Sequence, residues 1–167
     1  ERDGNPTCRE LAEAMRYSLL APGKRVRPLL AIRTALHFGM MDVANNCIMI
    51  AGPGPHVGKS FVSVNLAAVL ASNEKKVLLI DGDLRRGHLH EYLGIKRENG
   101  LSEFISGEIP IGEAIHQTTV PGLSLVPTGV LPPNPAELLL HQRFANCINV
   151  LGPRYDHIII DSPPSQA

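Results

Sequence analysis

The sequence is short of several features that other classes of protein need. It has no tryptophan, only 4% aromatic residues and three cysteines, which lie far apart with no C-x-x-C pair. This spacing argues against a metal cluster or a disulfide framework and fits a reducing cytoplasm. No apolar run approaches the roughly 20 residues that a membrane-spanning helix needs. A signal-peptide pattern is also missing, and because the chain begins at Glu1 rather than Met we expect a piece of a longer protein.

An excess of charge of either sign is absent too. Lys and Arg total 16, Asp and Glu total 16, and the formal net charge is +0. A general nucleic-acid binder needs a basic excess or stripe, so we expect no nucleic-acid partner. The remaining composition, 44% hydrophobic and 19% charged residues in a chain of 167, is typical of one ordinary globular domain.

The most informative stretch runs from Ile48 to Ser60, with the sequence IMIAGPGPHVGKS. It is an apolar run, then a loop with three glycines and two prolines, then Lys-Ser at the start of an apolar helix. Loops of this kind bind phosphate through backbone N–H groups and the positive end of the helix. Lys59 would reach the terminal phosphates and Ser60 would ligate Mg²⁺. The common pattern G-x-x-x-x-G-K-[ST] has four residues between its glycines, whereas five separate Gly52 from Gly58 here. The alternative to a phosphate loop is therefore a turn that only connects the strand to the helix.

Hydrophobic periodicity predicts an α/β fold. Short apolar strands, including 47–51, are expected to be buried on both faces and alternate with helices, which indicates a parallel sheet flanked by helices. The pattern predicts short helical pieces between 87 and 112, and a proline at the first turn of the helix that begins near 135. The predicted helices are 9–20, 29–41, 59–72 and 135–150, and the predicted strands are 47–51, 76–80, 123–127 and 158–160.

Aspartates follow two of these predicted strands directly. Asp81 and Asp83 come after one, and Asp161 ends the last. Carboxylates at the carboxyl edge of an open parallel sheet lie where such sheets bind ligands, so these are candidates for a Mg²⁺ shell or a general base. The alternative is that Asp81 and Asp83 belong to a solvated Asp-Gly turn without a role in ligand binding. We interpret His88 and His90 as surface residues near the site, because no third metal ligand is nearby.

Residues 31–164 resemble the cytoplasmic domain of bacterial protein-tyrosine kinases that regulate exopolysaccharide and capsule synthesis. Their loop pattern G-x-x-P-x-x-G-K-[ST] is matched by Gly52, Pro55, Gly58, Lys59 and Ser60, which accounts for the extra residue. The resemblance also rests on five further stretches, namely 61–67 with FVSVNLA, 77–85 with D-x-D-x-R, 100–103 with GLSE, 129–139 with PPNPAELL, and 156–164 with IIIDSPP.

This resemblance implies a phosphate-loop fold and transfer of the γ-phosphate of ATP to tyrosine, with Mg²⁺. It implies Lys59, Asp81 and Asp83 as catalytic residues and Ser60, Asp83 and Asp161 as Mg²⁺ ligands. The nucleotide-binding residues that it implies are Gly52, Pro55, Val57, Gly58, Lys59, Ser60, Phe61 and Arg85. The implied partners are neighbouring kinase subunits with tyrosine-rich tails and a membrane adaptor or polysaccharide co-polymerase domain. The implied location is the cytoplasmic face of the bacterial plasma membrane, reached through a separate or missing membrane segment.

Residues 1–30 form an N-terminal helical segment of a different kind. The stretches EAMRYS (13–18) and GKRVRP (23–28) resemble the N-terminal region of trans-type polyprenyl diphosphate synthases. No aspartate-rich D-D-x-x-D motif accompanies them, so we interpret this segment as a fusion or chimera rather than a diphosphate site. Residues 31–167 then form the kinase-like domain, which we expect to be incomplete at its C-terminus. Of the kinase family's ring-forming E-x-x-R-x-x-R motif, only Arg33 is retained.

Three alternatives to the kinase stay open at this point. The first is a switch ATPase of the chromosome-partition and septum-placement class. Those proteins usually carry an extra lysine in the loop, where this sequence has Gly54. The second is a truncated fragment that binds nothing well. The third is prenyl transfer through Lys24, Arg25 and Arg27, which the missing aspartate-rich motif disfavours.

Overall fold

The computed structural model of the chain describes residues 46–55, 57–72 and 74–165, together with residue 32. The predicted helix 9–20 lies outside these residues, and so does the predicted helix 29–41 except for residue 32, which is helical. The same holds for the basic cluster at 24–27 and for Arg33. Their interpretation therefore rests on the sequence alone.

The described residues form one sheet with helices on both sides. Its strands are β1 (Cys47–Ile50), β2 (Val77–Asp81), β3 (His116–Gln117), β4 (Leu123–Val126) and β5 (His157–Asp161). The helices are α1 (Lys59–Ala71), α2 (Leu89–Leu93), α3 (Leu101–Ser106), α4 (Ile111–Ala114), α5 (Pro135–Leu139) and α6 (Gln142–Leu151), followed by a 3₁₀ turn at Gly152–Arg154. The predicted alternation of strands and helices is confirmed.

The strand order is β1-β5-β2-β4-β3. Four strands run parallel as predicted, with Asp81 of β2 beside Asp161 of β5 in the register. The fifth, β3, pairs antiparallel with β4, which makes the sheet mixed. We did not predict β3, because two polar residues carry no periodic signal.

The two faces of the sheet bury different side chains because successive residues of a strand point to opposite faces. Leu79 and Ile159 pack with α1, whose residues from Ser63 to Ala71 are all buried. Leu78 and Ile160 pack on the other face with α3 and α6. This arrangement fixes the helix that follows the phosphate loop against the middle of the sheet.

Two details differ from the sequence predictions. The expected fully buried strand at 47–51 is wrong, because β1 pairs only with β5 in the described part of the chain and Met49 is 63% exposed. An apolar run alone cannot show whether both faces are covered. The single helix predicted for 135–150 is two helices, and His141 begins the second by accepting a hydrogen bond from the Arg143 N–H. No described helix is long and apolar enough to cross a membrane.

Candidate nucleotide site

The predicted phosphate loop lies between β1 and α1, at the carboxyl edge of the parallel strands. Gly58 stands just before α1 with φ of 89°, a left-handed conformation that favours glycine, and nothing else lies within 4 Å of where a Cβ would be. No side chain caps the N-terminus of α1. The N–H groups of its first turn are therefore available to an anion.

Gly52, at the start of the loop, makes room for the predicted lysine. A Cβ added at Gly52 would lie 2.8 Å from Cδ and 2.9 Å from Cγ of Lys59. The carbonyl of Gly52 accepts hydrogen bonds from both the backbone N–H and the hydroxyl of Ser165, at 3.1 and 3.2 Å. Gly52 is thus a packing residue that sets the path of the Lys59 stem.

Asp161 is the centre of a small polar cluster beneath the loop. Its carboxylate is 1% exposed and accepts hydrogen bonds from the hydroxyl of Ser60 at 2.7 Å and of Ser63 at 2.9 Å. Ser60 and Asp161 were both predicted as Mg²⁺ ligands, and the structure brings them into contact. Ser63 was not predicted. Its position three residues after Ser60 places it on the same face of the helix, a signal that the sequence did contain.

Asp81 lies under the turn that leads away from β2 rather than in the open site. It is 1% exposed and accepts hydrogen bonds from the N–H groups of Leu89 at 3.0 Å and Asp83 at 3.3 Å. A Cβ at Gly87 would lie 2.7 Å from both carboxylate oxygens, so the backbone packs directly on this group. Burial raises the pKa of Asp81 to about 6, against the lowering effect of the Leu89 N–H.

Asp83 holds the next part of this turn. One of its oxygens, Oδ1, accepts hydrogen bonds from the N–H groups of Arg85 at 3.2 Å and Arg86 at 3.0 Å. The carbonyl of Arg86 lies 2.9 Å from Nδ1 of His88. Both arginine side chains are exposed. The turn is therefore fixed by its own backbone contacts while its cationic side chains stay free to reach a ligand.

A cleft of about 560 Å³ opens between the phosphate loop and this turn. Eight predicted residues line it, namely Pro55, Val57, Gly58, Lys59, Ser60, Phe61, Asp83 and Arg85. Gly52, Asp81 and Asp161 are not among the lining residues. Four lining residues were not predicted as site residues, namely Arg86, His88, Tyr92 and Pro164. The expectation that His88 lies near the site edge agrees with this position.

The stretch Gly100–Glu103, part of the sequence resemblance, is a buried structural corner. Glu103 is 8% exposed and accepts hydrogen bonds from the N–H groups of Gly100 and Val130, both at 3.2 Å, and from the Ser102 hydroxyl at 2.7 Å. Burial works to raise the pKa of Glu103, but these hydrogen bonds outweigh it and the pKa is lowered. The corner fastens the loop after β4 to α3.

The described residues can supply only part of a magnesium shell. No group of three His, Cys, Asp and Glu side chains that could hold a metal occurs in the ranges that the structure describes. Mg²⁺ commonly binds one or two protein groups and completes its shell with phosphate oxygens and water. The contacting pair Ser60 and Asp161 fits that pattern, since it offers one hydroxyl and one carboxylate beside a phosphate loop.

Known proteins are similar to this chain in sequence and in fold. Residues 46–167 match the family model described as AAA domain. The tyrosine-protein kinase ptk of Acinetobacter johnsonii is 46% identical over 139 residues, which cover 83% of this chain and 19% of that kinase. The tyrosine-protein kinase wzc of Salmonella typhimurium is 40% identical over 167 residues, which cover 98% of this chain and 23% of that kinase. The second alignment includes most of residues 1–30, so it gives no support to a prenyl-synthase origin of that segment.

Solved structures agree with the sequence relatives. The kinase domain of the Escherichia coli tyrosine kinase ETK superposes with a TM-score of 0.85 at 39% identity, over 90% of this chain and 60% of that one. The septum site-determining protein MinD of Pyrococcus horikoshii, complexed with Mg-ADP, superposes with a TM-score of 0.63 at 27% identity, over 73% of this chain and 50% of that one. The chain thus spans about a fifth of its curated relatives and three-fifths of the ETK domain.

The predicted phosphate-loop fold is confirmed by these likenesses, and so is the predicted kind of relative. The tyrosine kinase domain is the nearer of the two structures in both identity and superposition. The chain therefore belongs to the AAA-domain family of phosphate-loop proteins, and the relatives that it resembles within that family are bacterial tyrosine-protein kinases.

Proposed function

We propose that this chain is the nucleotide-binding part of a kinase that transfers the γ-phosphate of ATP to tyrosine. The observation that carries the proposal is the contact of Ser60 with buried Asp161 beneath an uncapped helix N-terminus, next to an open cleft. Phosphoryl transfer needs positioning and charge neutralisation more than covalent chemistry, and this edge of the sheet supplies both.

The residues take the following parts in this proposal. The first-turn N–H groups of α1 hold the phosphates, and Lys59 neutralises charge on the terminal ones. Ser60 and Asp161 would hold Mg²⁺, which would supply positive charge to offset that of the phosphates. Asp83 would support Mg²⁺ from the cleft wall, and Arg85 would hold a phosphate group.

Asp81 needs a separate statement. Its raised pKa, about 6, is in the range that suits a general base. Its oxygens, however, are engaged by the backbone of the 82–89 turn and it does not line the cleft. We assign it to holding the turn that carries Asp83 and Arg85. For Asp81 to accept the proton of the tyrosine hydroxyl, the 82–89 turn would have to move away from it.

The wider setting belongs to the same proposal. We infer that the complete protein acts at the cytoplasmic face of the bacterial plasma membrane, in exopolysaccharide or capsule export. Its partners would be a polysaccharide co-polymerase domain and neighbouring subunits that present tyrosine-rich tails. The support is the kinase relatives, whose length far exceeds this chain.

A switch ATPase is the competing function, because MinD shares the fold. To separate the two, the protein is incubated with labelled ATP and Mg²⁺, with and without a tyrosine-rich peptide. The variant Lys59→Met is compared with Lys96→Met, which alters an exposed lysine outside the cleft. We expect phosphotyrosine that is lost in Lys59→Met and kept in Lys96→Met. Hydrolysis without phosphotyrosine would instead support the ATPase, and the absence of both nucleotide binding and turnover would contradict each function for this chain.

A further inference from the structure

The cleft has a second wall that the nucleotide does not account for. The phosphate loop and α1 form one wall, and the segment from Asp83 to Tyr92 forms the other. On this second wall Arg86, His88 and Tyr92 have no part in the nucleotide assignment above. We call these three residues the acceptor wall.

Charge on the second wall is unbalanced. Arg85 and Arg86 are adjacent and exposed, and neither forms an ion pair with a carboxylate of the described residues. Among the described residues that line the cleft, the one acid is Asp83, and one of its oxygens accepts hydrogen bonds from two backbone N–H groups. With Lys59 opposite, the part of the lining that the structure describes has three cationic side chains and one carboxylate. A concave surface of one sign attracts ligands of the other sign.

The acceptor wall is also held in place. Asp83 fixes the backbone of Arg86 from one side, at 3.0 Å, and His88 contacts its carbonyl from the other, at 2.9 Å. The rings of His88 and Tyr92 lie with centroids 5.6 Å apart and planes at 43°. A tilted aromatic pair beside a cation offers an edge and a face against which another aromatic ring can pack.

We propose that the acceptor wall binds a tyrosine peptide with acidic residues next to the acceptor tyrosine. This inference rests on the proposed kinase function and names its substrate class. Arg86 pairs with a carboxylate of the peptide, as arginine clusters do in other acidic-motif sites. The rings of His88 and Tyr92 flank the tyrosine ring, so that its hydroxyl points toward the phosphates on the loop.

Binding of peptides that cannot be phosphorylated tests this inference without requiring kinase activity. Three fluorescent peptides carry a central phenylalanine flanked by glutamate, glutamine or lysine, and their anisotropy is measured at low and high salt. The proteins are the unaltered chain, Arg86→Gln, Arg86→Glu and the matched control Arg154→Glu, which reverses an exposed arginine outside the cleft.

The glutamate peptide should bind most tightly to the unaltered chain. An exposed ion pair contributes up to ~1 kcal/mol, so Arg86→Gln should lower the affinity for the glutamate peptide by up to about fivefold. Arg86→Glu should weaken it further and improve binding of the lysine peptide, while Arg154→Glu leaves both unchanged. High salt should reduce the preference for glutamate.

Two results would overturn the proposal. One is equal affinity of the unaltered chain for the glutamate and glutamine peptides. The other is a loss of ATP affinity in Arg86→Glu as large as the loss for the glutamate peptide, which would assign this arginine to the nucleotide. If the peptides behave as expected but no phosphotyrosine forms with ATP, the acidic-peptide site stands and the kinase function fails.

Discussion

The charge on buried Asp81 should make the protein less stable as the pH rises through the range 4 to 7. Asp81 has an ordinary pKa of 3.8 and a folded pKa of about 6. A folded pKa above the unfolded one means that the folded state binds the proton more tightly. The stability that this group contributes is therefore complete below about pH 4 and is lost as the pH rises through about 6.

The size of the effect follows from the shift. The difference is about two pH units, and each unit corresponds to ~1.4 kcal/mol, so the loss is about 3 kcal/mol. The variant Asp81→Asn removes the titration and keeps one carbonyl oxygen for the Leu89 N–H. Relative to this variant, the unaltered chain should lose most of this, roughly 2 kcal/mol of unfolding free energy, between pH 4 and pH 7.

Urea unfolding followed by circular dichroism measures this difference at a series of pH values, with EDTA and without nucleotide. Asp156→Asn serves as the control of opposite sign, because the Lys76 N–H and the Lys75 side chain lower the pKa of Asp156. Relative to Asp156→Asn, the unaltered chain should gain unfolding free energy as the pH rises. A flat difference for Asp81→Asn, or one with the sign of the control, would refute the account of Asp81 as a group whose charge is destabilised by burial.

Three further changes should test the packing around the site. Gly129→Ala should destabilise the protein by more than ~2 kcal/mol in thermal unfolding, because φ at Gly129 is 84° and an added Cβ would lie 1.8 Å from Oε2 of Glu103. The control Gly112→Ala should be neutral or slightly stabilising, because nothing lies within 4 Å of its added Cβ. Ser63→Ala removes one of the two hydroxyl donors to Asp161 and should cost about 1 kcal/mol in urea unfolding, and no loss would mean that this contact is not formed. Glu103→Gln should cost about 1–2 kcal/mol near pH 7, and less as the pH falls through the lowered pKa of Glu103, because protonation then weakens the contacts of the unaltered carboxylate as well.

The sequence predicts the parts of this site that depend on order along the chain. A strand, a glycine-rich loop and a Lys-Ser helix start have one geometry, so the positions of Gly58 and Ser60 follow directly. Asp161 could be paired with Ser60 because Asp161 ends one parallel strand and the loop before Ser60 follows another at the same sheet edge. The contact of 2.7 Å between them agrees with that reasoning.

Other features depend on packing, which the local pattern does not contain. Asp81 and Asp83 are two residues apart and look equivalent in sequence, yet one is buried under the turn and the other lines the cleft. Their difference arises from Leu89 and Gly87, which close over Asp81. Tyr92 reaches the cleft because the short helix α2 folds back against α1, a tertiary event that has no local signature.

The hydroxyls of Ser60 and Ser63 both donate hydrogen bonds to Asp161, but they differ in their access to the cleft. Ser60 lines the cleft and would turn toward a metal whenever nucleotide arrives, whereas Ser63 is fully buried and does not line the cleft. If Ser60 moved to a metal in the proposed nucleotide site, Ser63 would remain as a hydrogen-bond donor to Asp161. The hydrogen bond from Ser63 would then keep the carboxylate oriented for the next nucleotide. In the proposed function, α1 would therefore orient the carboxylate of Asp161 before Mg²⁺ binds.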